Sequence, residues 1–355
     1  MPPTDPRAQE YKDYLGGAKE RFNERVKNCS CPTDFPENYE YLKELGGGGF
    51  GTVYEARRKS TDEMRALKVM NKVALVQKRS SGNTDFAKMI IKEKEYQWAM
   101  ESPFTVKLEA AFKDPTYVYL AMEFGLFGSL SNHIEEDSEL THDSLRLIAG
   151  MIVLGLEYLH SCGILYRDLK PDNIMVFDDG YVKLGDFGIS TVHEGYASNA
   201  LGTLEYCAPE TSQGIQQVDG VDWWAFGVVL YEMYSKGAWV FGDNDEDVLD
   251  AAIWLAILED PPQFRHASVP EEVRNIVERL LVKDVTRRLG ATNDGARDVK
   301  NHPYFEGLNF YDLYDKRIPM DPDEFLVINF DPVAPGFKPA QGDGKDIYKW
   351  RFSKF

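Results

Sequence analysis

Hydrophobic residues follow two different patterns along this chain. From Tyr39 to Phe124, short β-rich segments alternate with turns, and one helical pattern over residues 85–100 interrupts them. The apolar run Tyr117–Met122 predicts a buried strand that ends before the flexible Gly125. We therefore expect a small β-rich region with one main helix in this part of the chain.

Beyond residue 125 the pattern becomes helical. Thr141 is a residue type that caps helix N-termini, and one helical face after it is apolar at Leu145, Ile148, Ile152, Leu156 and Leu159. The segment Asp222–Leu230 is apolar nearly all round, as in a helix that is buried on every side. Strands followed by helices predict an α+β protein with two lobes.

The two ends of the chain differ from the centre. Residues 8–27 have apolar positions near a helical period, although Gly16-Gly17 weakens that helix. Breaker residues follow it, and Gly, Pro and Asp cluster after Phe305. We predict an N-terminal helical arm and linker (1–39), a central domain (40–305, with lobes 40–124 and 126–305) and a less regular tail (306–355).

Charge limits the classes of partner. The chain has 355 residues, a formal net charge of −18 and a pI near 4.8, which argues against nucleic acid and anionic membranes as partners. This charge is compatible with attraction of basic substrates and equally with a solvated acidic exterior.

Sequence signals of secretion or membrane attachment are missing from the printed chain. Cys29-Ser30-Cys31 lacks the spacing of a zinc or redox pair, so we expect reduced thiols. Met1-Pro2 begins no apolar signal stretch and offers no glycine for myristoylation. The longest apolar run, Trp223–Met233, is too short to span a bilayer. We expect an intracellular protein with no direct membrane anchor, located in the cytoplasm or also in the nucleus.

Five short motifs occur in the order that phosphoryl transfer from ATP requires. They are Gly46-x-Gly48-x-x-Gly51-x-Val53, Ala66-Leu67-Lys68, Tyr166-Arg167-Asp168-Leu169-Lys170-Pro171-Asp172-Asn173, Asp186-Phe187-Gly188 and Ala208-Pro209-Glu210. One glycine triplet is weak evidence by itself. Five motifs in this order predict a protein kinase catalytic domain.

The glycine run lies between two β-like segments, which predicts a hairpin that covers nucleotide phosphates. Lys68 lies in an apolar strand, where a lysine is costly unless it is paired. A cation at this place can bind the α- and β-phosphates. We expect its carboxylate partner on the helix over residues 85–100 and favour Glu93, with Glu95 as the alternative.

The third and fourth motifs supply catalytic and metal-binding residues. Asp168 can accept the proton of the substrate hydroxyl, and Asn173 and Asp186 can bind Mg²⁺. Lys170 would neutralise the transferring phosphoryl group. Two further residues are predicted to support the scaffold: Glu210 through an ion pair with Arg288, and Asp222 by anchoring the catalytic-loop backbone.

With these motifs in place, the chain resembles the cAMP-dependent protein kinases of the AGC group over residues 8–355. The group signals are Tyr166, Asp222-Trp223-Trp224, Asn301-His302-Pro303-Tyr304-Phe305, the terminal Phe352-x-x-Phe355 and Ala18-Lys19-Glu20-Arg21-Phe22 in the arm. The resemblance implies the two-lobe kinase fold with an AGC-type tail, and serine/threonine kinase activity with ATP and magnesium. It adds nucleotide contacts at Phe50, Val53, Ala66, Met122, Glu123 and Phe330, and it adds Thr203 to the catalytic site.

The chain departs from that family in the activation segment. The family's phosphothreonine aligns with Asn199, or with Ser198 in an alternative register. Two of its phosphate-binding positions are Met89 and Thr191, which leaves Arg167 alone. Two further departures are Leu204, where the family has a proline, and Gln97, at a place that is usually apolar.

Substrate recognition is altered as well. By resemblance, Asp172, Glu205 and Glu232 match acidic residues that read arginines before the phosphoacceptor, whereas a further glutamate is replaced by Ser129. We therefore expect basic protein substrates, with arginine favoured at position −2 over −3. Docking of a cyclic-nucleotide-binding regulatory subunit stays open.

Two other functions compete with an active protein kinase. The altered activation segment and Gln97 motivate a pseudokinase that acts as a scaffold, but Lys68, Asp168, Asn173 and Asp186 are all present. A small-molecule kinase of similar fold is disfavoured, because Ala208-Pro209-Glu210 and Thr203 build a peptide platform.

Overall fold

The computed structural model describes residues 5–48, 51–77, 85–135, 139–192, 202–213, 218–241, 249–264, 269–325, 332–340, 344–346 and 348–355. The chain forms two compact units, each made of separated stretches. The β-rich unit comprises residues 22–101, 106–128 and 327–355, and the helical unit comprises residues 1–21, 102–105 and 129–326.

The β-rich unit contains a five-stranded antiparallel sheet with strand order β1-β2-β3-β5-β4. Its strands are β1 (Tyr39–Gly48), β2 (Gly51–Arg58), β3 (Glu63–Asn71), β4 (Leu108–Lys113) and β5 (Tyr117–Met122). Side chains alternate across β3, so that Leu67 and Val69 enter one apolar cluster, whereas Met70 enters the cluster on the opposite face. The predicted strand over residues 117–122 is confirmed.

Two helices follow β3 in this unit, α3 (Lys72–Gln77) and α4 (Phe86–Ala99). The α4 helix begins after Asp85, whose carboxylate accepts a hydrogen bond from the Lys88 amide. The helix predicted over residues 85–100 is therefore confirmed, whereas α3 was not predicted. The C-terminal Phe352 is fully buried in the apolar cluster beside α4.

The helical unit contains the helices predicted beyond residue 125. The α5 helix (His142–Ser161) begins after Thr141, whose hydroxyl accepts a hydrogen bond from the Ser144 amide as expected. The α7 helix (Gly220–Tyr234) is buried nearly all round. The other described helices of this unit are α1 (Arg7–Gly16), α6 (Pro209–Ser212), α8 (Asp250–Glu259), α9 (Glu271–Leu280), α10 (Ala296–Lys300) and α11 (Phe310–Tyr314).

Two short ribbons support the loops between these helices. Strand β6 (Ile164–Leu165) pairs with β9 (Thr191–Val192), and β7 (Ile174–Val176) pairs with β8 (Val182–Leu184). The N-terminal arm is helical as predicted, but Gly17 separates α1 from α2 (Ala18–Lys27). In the segments that the structure describes, none of the helices has the length and apolar character needed to cross a membrane.

Candidate active site

Gly46 and Gly48 lie at the end of β1, and Gly48 pairs with Gly51 at the start of β2, as expected for the predicted hairpin. Among the residues that the structure describes, a Cβ atom added at Gly46 or Gly48 would meet no heavy atom within 4 Å, whereas one at Gly51 would lie 2.3 Å from the Val69 carbonyl oxygen. Close packing against β3 therefore requires glycine at position 51, and the other two glycines leave open space. That space suits the close approach of nucleotide phosphates to backbone N–H groups.

The sheet register brings the predicted nucleotide contacts together in the β-rich unit. Val53 on β2 pairs with Lys68 on β3, and Ala66 on β3 pairs with Met122 on β5. Paired residues and residues two apart on a strand share one face. Val53, Ala66, Lys68 and Met122 therefore lie on the same face, and Glu123 follows directly, with its amide bonded to the Lys107 carbonyl.

Lys68 is paired with a carboxylate on α4. Its Nζ lies 2.7 Å from Oε1 of Glu93, and the two residues are 8% and 1% exposed. Alternation on β3 directs Lys68 to the same face as Met70, which packs against α4. The pairing predicted for Glu93 is confirmed over the Glu95 alternative.

In the helical unit, one buried carboxylate holds the backbone of the catalytic loop. Asp222 accepts hydrogen bonds from the Tyr166 amide at 2.9 Å and the Arg167 amide at 2.7 Å, and it lies 2.8 Å from Nε2 of His160. Arg167 has a φ of +69°, a left-handed conformation that the Asp222 contacts hold in place. The predicted anchoring role of Asp222 is confirmed.

The loop brings four of the predicted residues together. The Asn173 side-chain amide donates hydrogen bonds of 2.8 Å to both Oδ2 and the main-chain carbonyl of Asp168. The Lys170 ammonium donates to the Thr203 hydroxyl at 2.8 Å. Burial raises the pKa of Asp168, opposed by Lys170 and the Asn173 hydrogen bond, while the charge of Asp186 raises it further. The carboxylate is thus oriented and made more basic than an exposed aspartate.

Asp186 follows the β7–β8 ribbon. It adopts a left-handed φ of +48°, and its Oδ1 accepts a hydrogen bond from the Gly188 amide at 3.1 Å. The Tyr166 hydroxyl donates to the Gly185 carbonyl, and the Tyr166 and Phe187 rings lie 5.5 Å apart. Asn173 and Asp186, an amide oxygen and a carboxylate, are suitable oxygen ligands for Mg²⁺, which takes its further ligands from phosphates and water.

Comparison with known proteins agrees with this geometry. The family described as "Protein kinase domain" matches residues 39–305 of this chain. This chain belongs to the protein kinase family. Its relatives make it a divergent member of the AGC group, and the family implies the use of ATP and of protein substrates.

The cAMP-dependent protein kinase catalytic subunit 2 of Drosophila melanogaster is 31% identical over 352 residues, which cover 98% of this chain and 94% of that protein. A cAMP-dependent protein kinase, catalytic subunit-like, of Caenorhabditis elegans is 34% identical over 279 residues, which cover 79% of this chain and 67% of that protein. The RAC serine/threonine-protein kinase of Drosophila melanogaster is 34% identical over 286 residues. The chain spans only 45% of the length of that last relative.

The predicted peptide-binding acids of this kinase gather around Tyr206, which the motifs had not indicated. The Tyr206 hydroxyl donates a 2.8 Å hydrogen bond to Oε2 of Glu232. Burial raises the pKa of Glu232 to about 7, and the like charges of Asp172 and Glu205 add to the shift. The cluster has an excess of negative charge that a cationic side chain would relieve.

Ser129 carries no such charge. Its hydroxyl lies 2.8 Å from the Ser131 hydroxyl and accepts a hydrogen bond from the Asn132 amide at 3.2 Å. These contacts make a local network of neutral groups. The surroundings of Ser129 are therefore neutral, unlike the acidic cluster around Tyr206.

The kinase scaffold contains the predicted pair between Glu210 and Arg288. The guanidinium binds the carboxylate with two hydrogen bonds of 2.6 and 2.9 Å, and it also donates to the Val282 and Gly220 carbonyls. Arg288 is fully buried. This pair is confirmed as a structural contact.

Arg167 has a neutral acceptor in the activation segment. Its Nε donates to the Ile189 carbonyl at 2.8 Å, and its Nη2 donates to the same oxygen. Asn199 and Ser198, the two candidates for the position of the family's phosphothreonine, lie outside the described residues, as do the predicted nucleotide contacts Phe50 and Phe330. Met89 is packed against an apolar cluster and cannot bind an anion.

Proposed function

We propose that this kinase transfers the γ-phosphate of ATP to serine and threonine side chains of basic proteins. The observation that carries the proposal is the orientation of Asp168 by Asn173 in a loop whose backbone is fixed by Asp222. A catalytic aspartate must point at the substrate hydroxyl before transfer, and this network holds it in one direction.

Each residue then has a distinct role. Asp168 orients the hydroxyl of the substrate and accepts its proton, while Lys170, which bonds the Thr203 hydroxyl, stabilises the negative charge that is transferred. Lys68, kept in place by Glu93, binds the α- and β-phosphates. Asn173 and Asp186 would hold magnesium, which would neutralise charge on the phosphates.

The peptide platform favours arginine at position −2. Glu232 is buried, has a raised pKa and lies with Asp172 and Glu205, so that an arginine would gain charge-assisted hydrogen bonds there. Ser129 offers only a hydroxyl at the place that the family resemblance assigns to position −3. The preference for −3 is therefore weaker.

Activity does not require the family's phosphothreonine. The Ile189 carbonyl accepts hydrogen bonds from Nε and Nη2 of Arg167, and burial lowers the pKa of this arginine. Since Met89 and Thr191 offer no cationic group, a phosphate in this segment would find few partners. We expect neutral contacts, or a partner protein, to order the segment.

Two partner classes follow from this function, together with a cytoplasmic or nuclear location. The first is protein substrates with basic residues before the phosphoacceptor. The second, by similarity to the cAMP-dependent kinases, is a cyclic-nucleotide-binding regulatory subunit. Inhibition of the purified chain by such a subunit, reversed by cAMP, would establish this second partner.

A degenerate peptide library tests the function directly. With Mg-ATP, the purified chain should phosphorylate serine and threonine peptides and select arginine at −2. Binding of Mg-ATP without phosphorylation of any peptide would instead support the pseudokinase alternative. Phosphorylation of small molecules alone would support a small-molecule kinase.

A further inference from the structure

Gln97 places an amide in a buried position on α4. The residue is 2% exposed and lies four positions after Glu93. Because an α-helix has 3.6 residues per turn, these two side chains project from the same face, one turn apart. The helix thus presents a carboxylate and an amide in line on one side.

The amide of Gln97 makes one directional contact. Its Nε2 donates a 3.1 Å hydrogen bond to the Val106 carbonyl, in the segment between α4 and β4. Its Oε1 is buried and accepts no hydrogen bond from any residue that the structure describes. A methionine or leucine would avoid this unsatisfied oxygen, so the amide is kept at a cost to stability.

The contact ties the Gln97 side chain to the segment that follows α4. The C-terminal end of α4 is held by Arg25, which donates to the Trp98 and Ala99 carbonyls at 3.0 and 3.1 Å. Those bonds act on main-chain oxygens close to the helix axis. A rotation that moved Glu93 away from Lys68 would also move Gln97 away from Val106 and leave a buried N–H group unpaired.

We propose that Gln97 is a positioning residue, whose hydrogen bond to Val106 fixes the rotation of α4 that keeps Glu93 paired with Lys68. The kinetic consequence rests on the proposed kinase function, whereas the effect on the helix does not. The Gln97 amide orients α4 and lowers the stability of the fold. Its removal should therefore weaken the orientation of α4 without lowering that stability.

Gln97→Met tests the proposal, because it keeps the length of the side chain and removes both the donor and the unsatisfied acceptor. We expect an unchanged or higher midpoint of thermal unfolding. Amide hydrogen exchange over residues 86–99 should be about three- to tenfold faster, and kcat/KM lower by a similar factor, as expected for one lost hydrogen bond. The matched control is Lys88→Met on the same helix, where the side chain is 83% exposed. It should match the parent in all three measurements.

Two results would overturn the proposal. The first is that Gln97→Met has the parent's amide exchange rates and the parent's kcat/KM. The second is that its thermal stability falls together with faster exchange and lower kcat/KM, which is the result expected of a residue that only supports the fold. If the parent itself transfers no phosphate, the proposed function fails, and the exchange rates of α4 still decide the role of Gln97.

Discussion

The two units hold their functional residues in different ways. In the β-rich unit, Lys68 forms a 2.7 Å ion pair with Glu93 on a helix. In the helical unit, Asp168 lies in a loop fixed at two backbone amides by Asp222, and Asn173 binds its carboxylate. Hydrogen bonds to two main-chain amides fix the loop that carries Asp168, whereas an ion pair between two side chains depends on the position of the helix that carries Glu93. We therefore expect the Lys68–Glu93 pair of the β-rich unit to be the adjustable part of this comparison and the Asp168 loop of the helical unit its fixed part.

The largest effect on turnover should come from a substitution in the Asp168 loop, the fixed part of the comparison. Asp168→Ala should lower kcat by about 10²- to 10⁴-fold, because it removes the group that accepts the proton. ATP affinity should stay close to that of the parent, since this residue does not hold the nucleotide. Steady-state kinetics and equilibrium nucleotide binding measure the two effects. Asp143→Ala, where the side chain is 79% exposed, is the control and should behave like the parent. Turnover retained in Asp168→Ala would refute the catalytic assignment.

The ion pair of the adjustable part can be tested through stability as well as activity. Lys68→Met should impair turnover and lower the free energy of unfolding by about 3–5 kcal/mol, because it leaves Glu93 buried without its cation. The double variant Lys68→Met/Glu93→Met should lose less stability, although its turnover stays low. Chemical denaturation of the parent and the two variants measures this difference. Equal stability of the single and double variants would show that a buried Glu93 without Lys68 costs no stability.

Much of the structure on both sides of this comparison could be predicted from the sequence, because the local sequence signals agree with the tertiary structure. Thr141 caps the helix that it was expected to cap, and the helix predicted over residues 85–100 carries Glu93, the favoured partner of Lys68. These features depend on residues close in sequence or on motifs with fixed spacing. The register of β2, β3 and β5 then places Val53, Ala66, Lys68 and Met122, four of the predicted nucleotide contacts, on one face.

Other features could not be predicted because contacts distant in sequence determine them. The short α3 helix lies beside the tail, and its Lys72 binds the Asp346 carboxylate. Tyr206 belongs to no motif, and it joins the acidic cluster only because α7 carries Glu232 to it. Arg167 finds its acceptor in Ile189, 22 residues further along the chain. Periodicity gives no information on such pairs.

A smaller effect, on the choice of peptide, should come from substitutions in the proposed peptide platform, the acidic cluster around Tyr206 together with Ser129. Glu232→Gln should lower the ratio of kcat/KM for arginine over alanine at position −2 by about tenfold, because a charge-assisted hydrogen bond becomes a neutral one. Ser129→Glu should raise the corresponding ratio at −3. Matched peptides that differ only at one position give both values. A parent whose strongest dependence is on −3 would contradict the proposed preference.

The same platform should respond to pH. The pKa of Glu232 is raised to about 7, so lowering the pH through this value protonates the carboxylate and removes the charge that binds arginine. The arginine-to-alanine ratio at −2 should therefore fall between pH 8 and pH 6, roughly one unit on each side of that pKa. Effects on Asp168 are common to both peptides and cancel in the ratio. A ratio that stays constant with pH in the parent would exclude titration of Glu232 in this range.

The smallest expected effect concerns the activation segment. The guanidinium of Arg167 already donates to the Ile189 carbonyl, so this arginine does not need a phosphate to avoid being buried without a partner. Treatment of the purified protein with a broad-specificity phosphatase should leave kcat unchanged, and Ser198→Ala should behave like the parent. Intact-mass measurement before and after treatment controls for the removal of phosphate. Loss of turnover in either experiment would mean that a phosphate, with Ser198 as the first candidate for its site, orders this segment through Arg167. The helical unit would then contain a switch of its own, and its site would be as adjustable as the Lys68–Glu93 pair.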